Sequence, residues 1–231
     1  MALFNATLAA PRSLRALALL LGYPDAQLRG HLPALADALK AEGALTAARL
    51  QELDALIATL QRGAPLEVEG DYVELFDRGH ATSLHLFEHV HGDSRERGPA
   101  MIDLAQTYER AGLYLAEGEL PDFLPVVLEF ASTQPPREAR AFLGEIAHIL
   151  NALFAALEKR RSAYAAVLNA LLELAGEKPR PVEIAPDEPL DAVWEEPVVF
   201  DGCSSKGQAR PGQPQPIHIV RKDSADQGAR A

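Results

Sequence analysis

The chain has 231 residues, 48% of them hydrophobic, 6% aromatic and 24% charged, and 33 acidic against 22 basic side chains give a formal net charge of −11. That length can bury a substantial core, while the acidic balance excludes a general nucleic-acid surface, which needs a positive stripe to displace counterions. One cysteine, Cys203, excludes an intramolecular disulfide and any Cys-based zinc or iron–sulfur site, so a reducing, cytoplasmic setting is expected.

In chain order, Arg12 and Arg15 precede an Ala-Leu-rich run in which Leu14, Leu17, Ala18 and Leu21 recur at helical spacing. The run stops at Gly22-Tyr23-Pro24-Asp25, too early for a signal peptide and far short of the roughly 18 apolar residues of a membrane span, so no stable membrane insertion is expected. Pro24 can open a second helix, Pro33 restarts it, and Leu35, Ala36 and Leu39 continue on one face to Gly43. A third helix is predicted from Thr46 through Leu60, and a fourth from about Leu66 to Phe76. Another is expected over Arg95–Ala111. Leu143, Ile146, Ala147, Leu150, Leu153, Phe154 and Leu157 then keep the i, i+3, i+4, i+7 pattern without a break, and Tyr164 to Leu172 form a last amphipathic helix that stops at Gly176. The fold class that follows is all-α: a compact single-domain helical bundle over residues 1–175. Residues 176–231 carry eight of the 17 prolines and are expected to form a largely extended or disordered tail. Two apolar islands within it, Ala192 to Phe200 and Ile217 to Val220, are candidates for docking onto the bundle.

Three polar constellations interrupt this apolar pattern. His85-Leu86-Phe87-Glu88-His89 matches the H-x-x-E-H pattern of inverted zinc peptidases, which on a helix would put both histidines on one face with Glu88 as base. No third ligand announces itself, so groove-lining histidines are the simpler reading and no metal site is expected. Gly92-Asp93-Ser94-Arg95-Glu96-Arg97-Gly98 resembles a capping box, Asp93 to Glu96, with Ser94 as alternative N-cap. Arg95 and Arg97 in a first helical turn oppose the helix dipole and call for anionic partners. Those partners are either Glu88, Glu119 or Asp122 within the protein, or the phosphate of a guanine nucleotide or pterin cofactor that the chain would carry. Glu119-Leu120-Pro121-Asp122-Phe123-Leu124-Pro125 is a rigid two-proline corner, suited to holding acidic and aromatic side chains at the lip of a groove.

SLHLFEHVHGDSRERGPAMIDL followed by ELPDFLPVVLEF resembles the NarJ family, the assembly chaperones of molybdenum-containing respiratory nitrate reductase, also called its delta subunit. LGYPD at 21–25, YVELFDRG at 72–79 and WEEPVVF in the tail share the resemblance, which thus covers most of the chain. The ELPDFLP stretch also resembles the wider group of redox-enzyme maturation chaperones, whose motif reads Glu-x-Pro-Asp-His; Phe123 stands where that group has His, and His85 where a Tyr is expected.

The resemblance implies an all-helical, cytoplasmic protein that is not an enzyme and has no resident cofactor. Its partner would be the immature nitrate reductase catalytic (alpha) subunit, held through its N-terminal segment, with membrane docking delayed until the molybdenum cofactor is inserted. A monomer is expected. Physically, an amphipathic helix would lay its apolar face in an interhelical groove and meet acidic residues at the rim. Phe87, Phe123 and Phe130 are the expected aromatic anchors, with Pro121 shaping the corner. Glu119, Asp122 and Glu129 are the expected rim charges, and His89 and Asp93 the far wall.

Overall fold

Proline opens the first helix, α1 (Pro11–Leu20), at a position where its missing N–H has no intrahelical partner to lose. The amides of that first turn, which have no partner within the helix, find an acceptor far away in sequence: the N–H groups of Arg12 and Ser13 donate to the Glu42 carboxylate at 3.0 and 2.7 Å. Glu42 ends α2 (Ala26–Glu42), which starts at Asp25, whose carboxylate accepts the Leu28 N–H at 2.7 Å. The restart expected at Pro33 does not occur. Pro33 lies inside one continuous helix, and burial of Leu28, Leu32, Leu35 and Leu39 along its inner face offsets the one ladder bond that proline forfeits. In α3 (Ala47–Arg62) the last carbonyls are taken by the Arg29 guanidinium, which donates to Leu60 O at 3.1 Å and Gly63 O at 2.6 Å.

The computed structural model describes residues 9–92 and 94–182. The first eight residues, Asp93 and residues 183–231 lie outside them, and with the last go Cys203 and both apolar islands of the tail. All the described residues belong to one structural unit.

The fourth predicted helix divides into α4 (Pro65–Tyr72), a π-helical turn over Val73–Asp77 and a 3-10 turn over His80–Thr82. The Thr82 hydroxyl donates to the Leu75 carbonyl that the widened turn leaves open. Tyr72 and Phe76 stack against Tyr164, and the Tyr72 hydroxyl donates to Leu21 O at 2.8 Å, fastening this turn to the end of α1.

The remaining helices are α5 (Leu86–His91), α6 (Arg97–Arg110), α7 (Leu124–Thr133), α8 (Pro136–Glu145), α9 (Ala147–Lys159) and α10 (Ala165–Ala175). The unbroken helix expected from Leu143 to Leu157 is in fact two, α8 and α9, bent by 63° at Ile146. The bend frees the Glu145 carbonyl, and His148 Nδ1 donates to it at 3.1 Å. It also lets both halves pack on α10, so the apolar periodicity survives while the helix axis does not. No single described helix is long and apolar enough to cross a membrane; the one pair of sufficient combined length is this bent one, and its Leu143, Leu150, Leu153 and Leu157 are buried.

α1 packs against α2, α7 and α10, and α10 against α3, α8 and α9, so Leu17, Leu20, Leu124, Leu128, Leu150, Leu168 and Leu171 are wholly buried between them. Among the described residues there is no strand, only an isolated antiparallel bridge between His85 and Phe123. The all-α expectation therefore holds. After α10 the chain turns at Gly176, whose φ of +82° suits only glycine without strain. Residues 177–182 then return beside α9. Asn151 clamps them, its amide donating to Arg180 O at 2.9 Å and accepting the Arg180 N–H at 2.8 Å.

Candidate functional site

Pro121 and Asp122 form a turn, Phe123 caps α7 in extended backbone and Pro125 lies in that helix's first turn, which places Asp122 beneath the start of α5. The Leu86 N–H donates to Asp122 O at 3.0 Å and the Leu124 N–H to Leu84 O at 2.8 Å, which builds the short bridge. The Asp122 side chain is 0% exposed. Its Oδ2 accepts the Phe87 N–H at 3.1 Å and its Oδ1 faces His85 Nδ1 at 3.3 Å, while Arg97 Nη2 lies 3.8 Å from Oδ2 and 3.5 Å from Glu88. A carboxylate removed from water requires such partners. The expectation of Asp122 as a rim charge is thus corrected: it is an internal clamp that caps α5 and receives the first turn of α6. The hydrogen bond that His85 donates to Asp122 raises the His85 pKa above its ordinary value of 6.5, with the charges of Asp122 and Glu88 adding to it and burial and Arg97 opposing.

The zinc reading fares poorly in this geometry. His85 precedes α5 in extended backbone, so it does not share a helix face with His89. Its Nδ1 is committed to Asp122, and His89 Nε2 donates to Ser83 O at 2.8 Å. Among the described residues, no group of three or more His, Cys, Asp or Glu side chains is arranged to hold a metal ion. Of the two arginines, Arg97 pairs internally with Glu88 and Asp122, whereas Arg95 is exposed. The α6 helix starts at Arg97, two residues later than expected, and Ser94 accepts the Glu96 N–H at 3.2 Å; Asp93 lies outside the described residues.

A second locus takes the rest of the predicted set. Glu119, Glu129 and Phe130 line a groove of about 350 Å³ between α7 and the 111–119 loop. Its floor is apolar, with Val126, Phe130, Leu113 and Leu115, and its walls are Tyr108 and Tyr114, the latter 80% exposed. Both Glu119 and Glu129 are exposed at the edge; Glu119 also accepts the Ala116 N–H at 3.0 Å, which shapes the loop. Phe87, His89 and Phe123 do not reach this groove. Phe87 stacks on His91 and Phe123 on His85, beside the clamp. The two loci are joined through Tyr108, buried and stacked 4.7 Å from Phe130, its hydroxyl donating to Pro121 O at 2.8 Å. Burial, with the Asp122 charge adding to it, pushes the Tyr108 phenol pKa well up, so this hydroxyl remains a donor.

Sequence reasoning missed Arg15, Tyr108, Tyr114 and Val126. Tyr108 carries a signal in retrospect: it is the one aromatic of α6, set near the helix end among Gln106, Thr107, Glu109 and Arg110. Arg15 carries none, because α1 reaches the groove only through its packing on α7.

The chain has recognisable relatives. A family model described as nitrate reductase delta subunit matches residues 25–170. The nitrate reductase molybdenum cofactor assembly chaperone NarJ of Escherichia coli K12 is 44% identical over 190 residues, which span 78% of this chain and 80% of that protein. The protein of Bacillus subtilis named probable nitrate reductase molybdenum cofactor assembly chaperone NarJ is 34% identical over 160 residues, 68% of this chain and 84% of its own length. Among solved structures, a chain from Archaeoglobus fulgidus described as a redox enzyme maturation protein gives a TM-score of 0.51 at 22% identity, covering 72% of this chain and 94% of that one. At that identity the likeness concerns the fold.

Proposed function

Because the chain belongs to the nitrate reductase delta subunit family, we propose that it is an assembly chaperone for the molybdenum cofactor of a nitrate reductase. It acts in the cytoplasm on the immature catalytic subunit, binds that subunit's N-terminal segment, and delays membrane docking until the cofactor is in place. It works by binding and performs no covalent chemistry.

The observation that carries this reading is the groove between α7 and the 111–119 loop, apolar in its floor, aromatic in its walls and acidic at its edge. An amphipathic helix places its anchors at i, i+3 or i+4, and i+7, and a cleft of this size receives such anchors while the polar face stays in water. Val126 and Phe130, one turn apart on α7, form the contact ridge, and Tyr114 supplies exposed aromatic area with little side-chain freedom to lose. Glu119 and Glu129 meet basic side chains flanking the apolar face and speed encounter. The clamp around Asp122 holds this wall in place through Pro121 and Tyr108.

The two rival readings have less support. His85, Glu88 and His89 are spent on internal contacts, and a cofactor carrier would need the guanidinium of Arg97, which already serves Glu88 and Asp122.

Calorimetric titration with a synthetic peptide of the first ~30 residues of the cognate catalytic subunit tests the proposal; ~20 helical residues would be ~30 Å long. Micromolar or tighter affinity with a negative heat-capacity change is expected, and Val126→Asp should weaken it at least tenfold. Absence of binding by the wild-type chain would refute the groove as the client site.

A further inference from the structure

The groove is not uniformly acidic. Among its lining residues stands one cation, Arg15, contributed by α1 across the α1–α7 contact. Its position is set from below: Nε donates to Ser132 Oγ at 3.1 Å, and Ser132, only 5% exposed, gives its own proton to Glu129 O at 2.6 Å. The hydroxyl can therefore only accept from Arg15, which turns the Nε edge of the guanidinium toward Ser132 and its other two nitrogens away. Among the described residues Nη1 and Nη2 have no acceptor, and neither the Glu119 nor the Glu129 carboxylate lies within ion-pair distance of them.

An arginine anchored by one nitrogen and open at the other two presents a fork that matches a carboxylate, with little side-chain freedom left to lose. We infer that Arg15 is a specificity-determining residue of the groove, pairing with an Asp or Glu of the docked N-terminal segment. This rests on the groove being the client site as proposed above. The consequence is a two-sign requirement. Glu119 and Glu129 favour any cationic amphipathic helix, which would make a poor basis for choosing one client. Arg15 rejects such a helix when it brings a Lys or Arg to the same place, and accepts one that brings a carboxylate, so selectivity comes from the repulsive contact as much as from the attractive one.

The test is a double-mutant cycle by calorimetry on the full-length protein. The probe is the cognate peptide of ~30 residues and a set of its variants in which each Asp or Glu is replaced in turn by its amide. Arg15→Gln is expected to lower affinity about tenfold, just below the coupling measured for close charge pairs at interfaces, because Arg15 is exposed in the free protein. One peptide position should give the same loss on the wild-type protein and none on Arg15→Gln, and Arg15→Lys should restore part of the affinity. Wild-type binding with Arg15→Gln within twofold, or tighter, overturns the assignment and leaves the groove reading intact. A loss that couples to no peptide carboxylate, or a cognate segment containing no acidic residue, overturns it too. Absence of wild-type binding overturns both.

Discussion

Replacing Asp122 by alanine separates a structural carboxylate from a recognition carboxylate. The side chain is fully buried, caps the Phe87 N–H, and faces both His85 and Arg97. Losing the capping bond alone costs about 1 kcal/mol. Removing the carboxylate also leaves Arg97, 28% exposed, with Glu88 as its remaining partner at 3.5 Å. Breaking a buried pair from one side costs ~3–5 kcal/mol, and the partial solvation of Arg97 places this case at the lower end, about 3 kcal/mol in all. For a chain of this size that is a fall in Tm of roughly 6–12 °C. Asp122→Asn keeps an acceptor for the Phe87 amide and should lose only about 1–2 kcal/mol. Urea unfolding followed by circular dichroism reads both, with the slope checked for constancy across variants. A stability of Asp122→Ala within about 0.5 kcal/mol of wild type would refute the clamp. The asparagine variant adds a second check, because a carboxylate sealed from solvent gives a client peptide nothing to touch. Its peptide affinity should stay within twofold of wild type.

Four further outcomes follow from the same geometry. The raised pKa of His85, set first by its hydrogen bond to Asp122, means that the unfolded chain binds fewer protons than the folded one around neutrality. The His85 contribution is therefore full below pH ~6.5 and is lost as pH rises through the folded value; wild type and His85→Gln should diverge in stability at pH 5.5 and converge at pH 8.5, and parallel curves would contradict this. Tyr108→Phe leaves Pro121 O without its buried donor and should cost about 1–2 kcal/mol in urea unfolding, with peptide affinity falling as the groove wall loosens. Asn151→Ala removes both bonds to Arg180 and should make the Arg180 amide exchange with solvent several-fold faster in hydrogen-exchange measurements without changing the main unfolding transition. Glu119→Gln with Glu129→Gln should flatten the salt dependence of peptide binding, and an unchanged slope would remove these residues from the rim.

Much of the fold is written in periodicity and punctuation. Pro11, Asp25, Gly43, Pro65 and Gly176 sit at helix ends for local reasons that need no tertiary information. Where local and tertiary signals disagreed, the tertiary one prevailed. Four buried leucines carry α2 through Pro33, and the inward-facing stripe from Leu143 to Leu157 is kept although the helix breaks at Ile146. The site was legible only in part. Glu119, Glu129 and Phe130 belong to the groove, but a local sequence window cannot tell an aspartate that faces water from one folded beneath a neighbouring turn. Asp122 beside two prolines reads as a loop residue, and its burial depends on residues 84–87 arriving from elsewhere in the chain. Arg15 was invisible for the same reason, since it is separated from Ser132 by most of the bundle's sequence.

The bridge between His85 and Phe123 brings the point where the chain leaves the bundle beside the point where it returns. Everything from α5 to the 111–119 loop therefore hangs from one knot as a cassette, and α6 contributes only Tyr108 to the fully buried set. Closing a loop costs only ~0.6 kcal/mol for each doubling of its length, so insertions inside the cassette that spare Leu86, Phe87, Arg97 and Tyr108 burden the bundle very little. The opposite wall, α7, has no such freedom, because Leu124, Val127, Leu128 and Ala131 are core. One side of the groove can thus drift to suit a changing client while the other stays fixed. Grafting residues 86–121 from a relative should transfer client preference and leave the melting temperature nearly where it was.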